Sequence, residues 1–315
     1  MLDSGRLREN PGPAILTTED ITKYGISWFD IEESESEELR NLLKPLGLHP
    51  LVLERCVGKK NSPGVISYDN EVLLEVPAAF DRSMTDQGYL RMVLRPSMIV
   101  TIRPGPMPSL DDLIKSMLAE DGPTIHHLAQ IVFMILDDLA DLNVKAQIEV
   151  RDEIARVAGA LVENPSSITA ADLTRLRQQI DTLVSLTENQ SYSVAGLSAS
   201  DNEALKDPHQ KAYLQDLVSE AEIAQRGIYR LESRLNDLNA YYQMASSDKV
   251  DKRLRMLTII SAITLPLGLI AGLLGMNVGG VPGLTNPNGF VVVIISMIVL
   301  TAVELLFFWR GGWFE

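Results

Sequence analysis

The side chains best suited to metal chemistry are few in this sequence, and they do not cluster. It contains four His and one Cys, the residue types that a zinc ion prefers. His126 and His127 are adjacent, so on a helix they would point about 100° apart and could not chelate one ion from the same face. His49 and His209 are isolated. We therefore expect no tightly bound structural zinc ion and no resident cofactor.

Carboxylates are a second kind of cation ligand. Asp137, Asp138 and Asp141 fall on one predicted helix, and carboxylate oxygens bind hard divalent cations. One interpretation is that these three side chains bind cations between subunits. The other is that they form a solvated helix face with no ligand.

Glu304 is the only charged residue between Met256 and Trp309. An ionisable group inside a membrane-spanning segment is a functional candidate by default, which suggests a proton-linked or inter-helix role. Glu304 also lies five residues from Trp309, so its side chain could instead reach toward the membrane interface.

Nothing in the sequence predicts an enzyme. It has no phosphate-binding loop, Ser-His-Asp arrangement or HExxH motif, which also argues against an ATP-driven pump. The net charge of −14 argues against a nucleic-acid partner. The single Cys excludes an internal disulfide and is compatible with a reducing cytosol.

Two apolar runs predict membrane spans. Residues 256–275 carry no charge and residues 290–309 carry one; at about 1.5 Å per residue, each run spans a hydrocarbon core of about 30 Å. Basic residues lie just before the first run and just after the second, whereas the loop between the runs has none. Because Lys and Arg are enriched on the cytoplasmic side of a membrane, both termini should be cytoplasmic. The basic residues are Lys249, Lys252, Arg253, Arg255 and Arg310.

The first 208 residues predict a domain of strands and helices. Five runs rich in Val, Ile, Leu and aromatic residues predict strands: GISWFDI, GVISYDN, EVLLEVPAAF, LRMVLRP and SMIVTIRP. One helix is predicted to end near Gly47, and a second is predicted to begin after Ser109 as its N-cap. A third should run to about Glu163, and a fourth should begin after Thr169 as its N-cap. Residues 191–208 are predicted as a connector.

From His209 to Pro266 the chain has no Pro, and a continuous helix would be ~85 Å long. Its apolar residues form a heptad seam: Leu214, Leu217, Ala221, Ala224, Ile228, Leu231, Leu235, Leu238, Tyr242 and Ala245. Near the membrane the seam shifts to a new face: Val250, Leu254, Leu257, Ser261, Thr264, Gly268 and Gly275.

This second face has two interpretations. Ser261, Thr264 and Gly268 are small or hydroxylated and would leave room for a hydrated ion, while Leu254 and Leu257 could gate a pore by dewetting. Alternatively, Gly268 and Gly272 form a GxxxG pair that favours close helix packing. Two spans cannot enclose a hydrated pathway, so a conducting protein would need several copies.

The motif Gly275-Met276-Asn277, with LTII…PL…IAG before it, resembles the signature of the CorA-type divalent-cation transporters. The continuation VGGVPG resembles the zinc-transporting ZntB branch, because magnesium-carrying members typically have an acid there. The resemblance implies an α+β membrane protein assembled as a homopentameric funnel. It also implies that Gly275, Met276 and Asn277 form the outer mouth, that Asn277 faces a hydrated cation, and that Leu257 is a hydrophobic constriction.

The sequence is thus predicted to divide into six parts. They are a cytoplasmic α/β domain with a helical region (1–208), a stalk helix (209–255), a pore-lining span (256–276), an external loop (277–289), a second span (290–309) and a cytoplasmic tail (310–315). The expected function is transport of divalent cations, with Zn2+ foremost, across a bacterial inner membrane, with proton linkage open. The alternatives are a Mg2+, Co2+ or Ni2+ channel and a non-conducting, membrane-tethered coiled-coil scaffold.

Overall fold

The computed structural model describes residues 27–32, 36–58, 60–79, 87–119, 121–123, 125, 127–202, 210–276 and 287–313, with two short strands near the N-terminus. Asn277, His126 and His209 lie outside these residues. The chain divides into two compact units, Met1–Leu238 and Asn239–Glu315. The boundary falls inside the longest helix.

A five-stranded mixed sheet forms the centre of the first unit. Its strands are β3 (Ser27–Glu32), β4 (Gly64–Tyr68), β5 (Glu71–Ala79), β6 (Gln87–Arg95) and β7 (Met98–Arg103). They lie in the order β3-β7-β6-β5-β4, with β3 parallel to β7 and the other pairs antiparallel. These are the five strands that the sequence predicts. A small hairpin of β1 (Leu2–Asp3) and β2 (Arg6–Leu7) is separate from this sheet.

Helices cover both faces of the sheet. On one face lie α1 (Ser36–Leu43), a 3-10 turn (Lys44–Leu46) and α2 (Pro50–Val57), which bury Leu43 and Val52 against Leu73 and Val93. On the other face lie α3 (Pro108–Leu118), α4 (Leu128–Glu163) and α5 (Ala170–Ala199). Successive side chains of a strand point to opposite faces of the sheet. Because helices cover both faces, every position of β5 is buried.

The heptad seam is largely buried, as the sequence predicts. It lies on α6 (Gln210–Gly275), which is followed by α7 (Gly289–Arg310). The buried members of the seam are Leu217, Ala224, Ile228, Leu231, Leu235 and Leu238. Both helices contain segments long and apolar enough to cross a membrane. The α/β domain, long helix and two apolar C-terminal segments confirm the predicted architecture of one subunit.

Two local predictions were wrong. Ser109 is not the N-cap of α3: Met107 holds that position and Pro108 begins the helix, where its missing N–H leaves no bond unmade. Residues 191–199 are not a connector but the last turns of α5. There Ser193 Oγ donates to the carbonyl of Glu75 in the sheet at 2.7 Å, a tertiary contact that the local composition does not reveal. The predicted Thr169 cap is confirmed: the Asp172 N–H donates to Thr169 Oγ1, and the Thr169 N–H donates in return to the Asp172 carboxylate.

Candidate functional site

One face of α6 in the apolar segment is open within a single subunit. Leu254 and Leu257 are 54% and 60% exposed, and Ser261, Thr264 and Gly268 are exposed on the same side. The opposite side is more covered, with Ile259 only 8% exposed. The stripe that the sequence singled out is therefore free to line a pore or to contact another subunit.

The hydroxyls near this stripe are bonded to the helix itself. Thr264 Oγ1 donates to the carbonyl of Ile260 at 2.6 Å, and Thr258 Oγ1 donates to the carbonyl of Leu254 at 2.8 Å. Because the hydroxyl proton points back to the backbone, the oxygen lone pairs remain available to accept. Thr264 can thus accept a hydrogen bond from the water shell of a cation.

The glycines of this segment do not pack closely within one subunit. A Cβ placed on Gly268, Gly272 or Gly275 would meet no heavy atom within 4 Å. Packing through the GxxxG pair would therefore need a second chain. Pro266 lies inside the helix without ending it, and its missing N–H leaves the carbonyl of Ala262 without the usual helical donor.

Glu304 lies on the sheltered side of α7. The less exposed positions of that helix recur at helical spacing: Val293, Met297, Leu300, Thr301, Glu304 and Phe308. Glu304 Oε2 is shielded from solvent and has no hydrogen-bond partner among the described residues. Its carboxylate is therefore sheltered by the subunit's own helices, which favours an inter-helix role over an outward-reaching one.

The three carboxylates of α4 have three different partners. Asp137 shares a hydrogen bond with Glu220 of α6, Asp138 bonds the hydroxyl of Ser109, and Asp141 pairs with Lys145 at 3.7 Å. Among the described residues, no three His, Cys, Asp or Glu side chains are grouped to hold a metal ion. A cation site made of these three side chains within one subunit therefore has no support in the geometry.

Asp137 on α4 and Glu220 on α6 can form a hydrogen bond only if one of the two carboxyl groups carries a proton, because an ionised carboxylate can only accept. Burial raises the pKa of Glu220 to about 7, and the charges of Asp137 and Asp216 add to the shift. Burial, followed by the charge of Asp141, also raises the pKa of Asp137. Glu220 is therefore the carboxyl of this pair that keeps a proton below about pH 7.

The remaining candidate ligands have structural roles. His49 is the N-cap of α2, its Nδ1 accepts from the backbone of Leu51, and its ring stacks on Tyr68 with centroids 4.7 Å apart. Cys56 is fully buried, and burial raises the pKa of its thiol to about 12. Neither residue is placed to bind a cation.

Sequence reasoning missed two features of the first unit. It did not single out Glu220, because the pairing of α4 with α6 is a tertiary fact. It also missed the buried amide of Gln147, whose Nε2 donates to the carbonyl of Ala224 in α6 at 3.1 Å. A signal for the second was present, since Gly227 is the only Gly between Gln210 and Leu267 and marks a close approach.

An α/β domain, a long helix and two apolar segments that are long enough to cross a membrane are consistent with a membrane protein. A model of the CorA-like Mg2+ transporter protein family matches residues 23–310. The chain therefore belongs to that family and is a divalent metal-ion transporter, not an enzyme.

One relative is named for metal-ion transport and another for zinc transport. YfjQ of Bacillus subtilis (strain 168), named as a metal ion transporter, is 23% identical over 304 residues, covering 94% of this chain and 91% of that one. The zinc transport protein ZntB of Yersinia enterocolitica serotype O:8 / biotype 1B is 24% identical over 214 residues, covering 67% of this chain and 63% of the relative.

The fold resembles a full-length solved structure. The CorA magnesium transporter from Methanocaldococcus jannaschii superposes with a TM-score of 0.81 at 17% identity, covering 92% of each chain. At this identity the likeness shows the fold, not the cargo.

Proposed function

We propose that this protein carries zinc across a bacterial inner membrane through a pore formed by five identical subunits. The observation that carries the proposal is the open stripe on α6. Two apolar helices cannot enclose water, but the same stripe repeated around a symmetry axis can. Both termini then face the cytoplasm, because basic residues precede the first apolar segment and follow the second, and such residues are enriched on the cytoplasmic side.

Each part of the stripe has a distinct role in this proposal. Leu254 and Leu257 form the narrow apolar gate near the cytoplasmic end, where loss of water stops conduction. Ser261 and Thr264 offer hydroxyl oxygens to a hydrated cation, and Gly268 widens the path. Gly275, Met276 and Asn277 form the outer mouth.

The lack of an acid after the motif favours zinc as cargo, because magnesium-carrying members of the family typically have one there. Residues 277–289 contain no Asp, Glu, Lys or Arg, so the ion is held weakly through its water shell and is not trapped by carboxylates. Weak contact at several positions is what conduction requires.

A magnesium, cobalt or nickel channel is the second candidate. It is favoured by the match of residues 23–310 to the model of the CorA-like Mg2+ transporter protein family, whereas the zinc-named relative covers 67% of this chain. Competition between the two ions for uptake into vesicles separates the candidates.

Glu304 is the proposed carrier of any proton linkage. Its sheltered carboxylate could take up a proton inside the membrane. Glu304→Gln should then abolish the dependence of flux on an imposed pH gradient. Unchanged flux with unchanged pH dependence would remove this part of the proposal.

Cysteine accessibility tests the pore assignment. The native thiol of Cys56 is buried, so a hydrophilic thiol reagent should leave the wild-type protein active. We expect the reagent to block metal flux through Thr264→Cys in reconstituted vesicles. A matched variant on an exposed position of α7, Ile295→Cys, should stay active. Full activity of treated Thr264→Cys, with labelling verified, would contradict the pore-lining role.

A further inference from the structure

The chain ends its second apolar helix in an ordered aromatic turn. Gly312 has φ +71°, the left-handed conformation that favours glycine. The N–H of Gly312 donates to the carbonyl of Trp309 at 3.2 Å, and the N–H of Trp313 donates to the carbonyl of Phe308 at 3.1 Å. This pair of bonds is a Schellman motif.

The same turn folds Trp313 back onto the helix. The rings of Phe308 and Trp313 meet edge to face with centroids 5.3 Å apart, the apolar contact that often accompanies such a motif. Phe308 is only 8% exposed, whereas Trp309 is 72% exposed. The turn therefore holds the Trp313 ring against the helix, close in sequence to Trp309 and Arg310.

The first apolar segment is preceded by a basic segment. Lys252, Arg253 and Arg255 are exposed on α6. In the described part of the chain, no carboxylate forms an ion pair with any of the three. Their charges are therefore available to an anion.

Chain direction places the basic segment and the aromatic turn at the same membrane surface. The first apolar run begins at Met256 and the second ends at Trp309, and the two runs are equally long. A chain that crosses and returns brings both positions to one side. Trp is the residue type enriched at the headgroup level of a bilayer.

We propose that Lys252, Arg253, Arg255 and Arg310, with Trp309 and Trp313, form a binding surface for anionic phospholipid headgroups. The cations attract the lipid phosphate, and the Trp rings lie among the headgroups and upper acyl chains. The proposal does not depend on which metal is carried.

Electrostatic attraction of this kind has two measurable consequences. Removing one basic residue near an anionic surface lowers affinity roughly five-fold at low salt. The preference should also weaken as ionic strength rises, because the Debye length shortens to about 8 Å at 0.15 M.

Brominated lipids test the proposal through Trp fluorescence. The full chain is reconstituted into vesicles of neutral phosphatidylcholine containing a minority of brominated phosphatidylcholine or brominated phosphatidylglycerol. The chain has three Trp, and Trp28 in the sheet gives a constant background. We expect several-fold stronger quenching by the anionic brominated lipid, and loss of that preference in Lys252→Gln/Arg253→Gln/Arg255→Gln.

Two controls keep the result interpretable. The charge-matched variant Arg226→Gln/Arg230→Gln/Arg234→Gln alters exposed positions of α6 farther from the apolar run and should keep the preference. The charge-retaining variant Lys252→Arg/Arg253→Lys/Arg255→Lys should keep it as well.

Three outcomes would overturn the proposal. The first is equal quenching by the two lipids, and the second is an unchanged preference in the triple Gln variant. The third is loss of the preference on adding inorganic phosphate but not chloride at the same ionic strength, since the surface would then bind phosphate anions and not lipid. Metal flux is measured separately, so none of these outcomes bears on the proposed cargo.

Discussion

Gln147 occupies the space that a side chain on residue 227 would fill. A Cβ placed on Gly227 would overlap Gln147 Oε1, and Gln147 Nε2 donates to Asn143 Oδ1 at 3.2 Å. Asn143 Nδ2 in turn donates to Gln190 Oε1 at 2.8 Å, and Gln190 Nε2 donates to the carbonyl of Pro77 at 3.1 Å. A buried polar chain thus connects the sheet to the long helix.

Gly227→Ala should destabilise the protein. The added methyl group must displace a buried amide whose hydrogen bonds have no solvent to replace them, a loss of about 1–3 kcal/mol. Thermal unfolding of the full chain in detergent, followed by circular dichroism, measures the change. Pairing it with Gln147→Ala should recover part of the loss, because the clash is then gone.

Gly159→Ala is the matched control for this substitution. A Cβ on Gly159, in α4, would meet no heavy atom within 4 Å, so the change should stabilise the helix by roughly 0.5–1 kcal/mol. If both variants shifted the unfolding temperature alike, close approach of Gln147 would not explain Gly227.

Stability should depend on the Asp137–Glu220 contact as pH changes. The folded protein keeps the Glu220 proton up to about pH 7, whereas the ordinary pKa is 4.5. Between these values the folded state binds more protons than the unfolded state, so the free energy of unfolding falls as pH rises. After solvent screening of this partly exposed group, we expect a loss of roughly 1 kcal/mol across the window.

Glu220→Gln should remove this pH dependence and raise stability at pH 8 relative to the wild-type protein. Unfolding temperatures measured from pH 5 to pH 8 provide the test. Glu222→Gln, at an exposed position that pairs with Arg226 at 3.4 Å, should retain the wild-type slope. A slope that survives in Glu220→Gln would assign it to another group.

Local patterns predicted the elements of this chain well and its contacts poorly. The strand EVLLEVPAAF and the capping of α5 by Thr169 depend on residues that are close in sequence. Hydrophobic periodicity and the chemistry of helix caps are therefore enough to predict them. The end of α5 was mispredicted because Ser193 and Gly196 read as loop residues. In the structure, Ser193 bonds the sheet and Gly196 packs against Val65.

The candidate site was likewise predictable only where it depends on local sequence. The open stripe from Leu254 to Gly268 was predictable, because helical spacing alone assigns residues to a face. The pairing of Asp137 with Glu220 was not predictable, because it depends on which helix packs beside α4. Asn277 lies outside the described residues, and its role at the mouth stays a prediction.

Cys56 should resist thiol reagents in the folded protein. Its side chain is fully buried and its pKa is raised to about 12, so almost no reactive thiolate is present at pH 8. We expect labelling to begin only when denaturant opens the face of the sheet covered by α2. Rapid labelling of the native protein would contradict the packing of that helix.

Arg91→Met should destabilise the first unit strongly. Arg91 is 2% exposed and donates to the carbonyls of Cys56 at 3.1 Å and Gly58 at 3.0 Å, which end α2. Its Nε lies 3.5 Å from the buried carboxylate of Glu75, which would keep only its ion pair with Arg55 at 2.7 Å. Because two carbonyls would also lose their donor, we expect a loss of about 2–4 kcal/mol, against less than about 0.5 kcal/mol for exposed Arg226→Met.

Zinc flux through Asn277→Ala is the most direct test of the central claim that the end of α6 forms the mouth of a cation path. Purified wild-type and variant proteins are reconstituted into vesicles, and uptake of a zinc isotope is compared at equal amounts of assembled oligomer. We expect at least a ten-fold loss of flux in Asn277→Ala with assembly intact, about 1.4 kcal/mol or more in the transport barrier. Wild-type flux in the variant would contradict it.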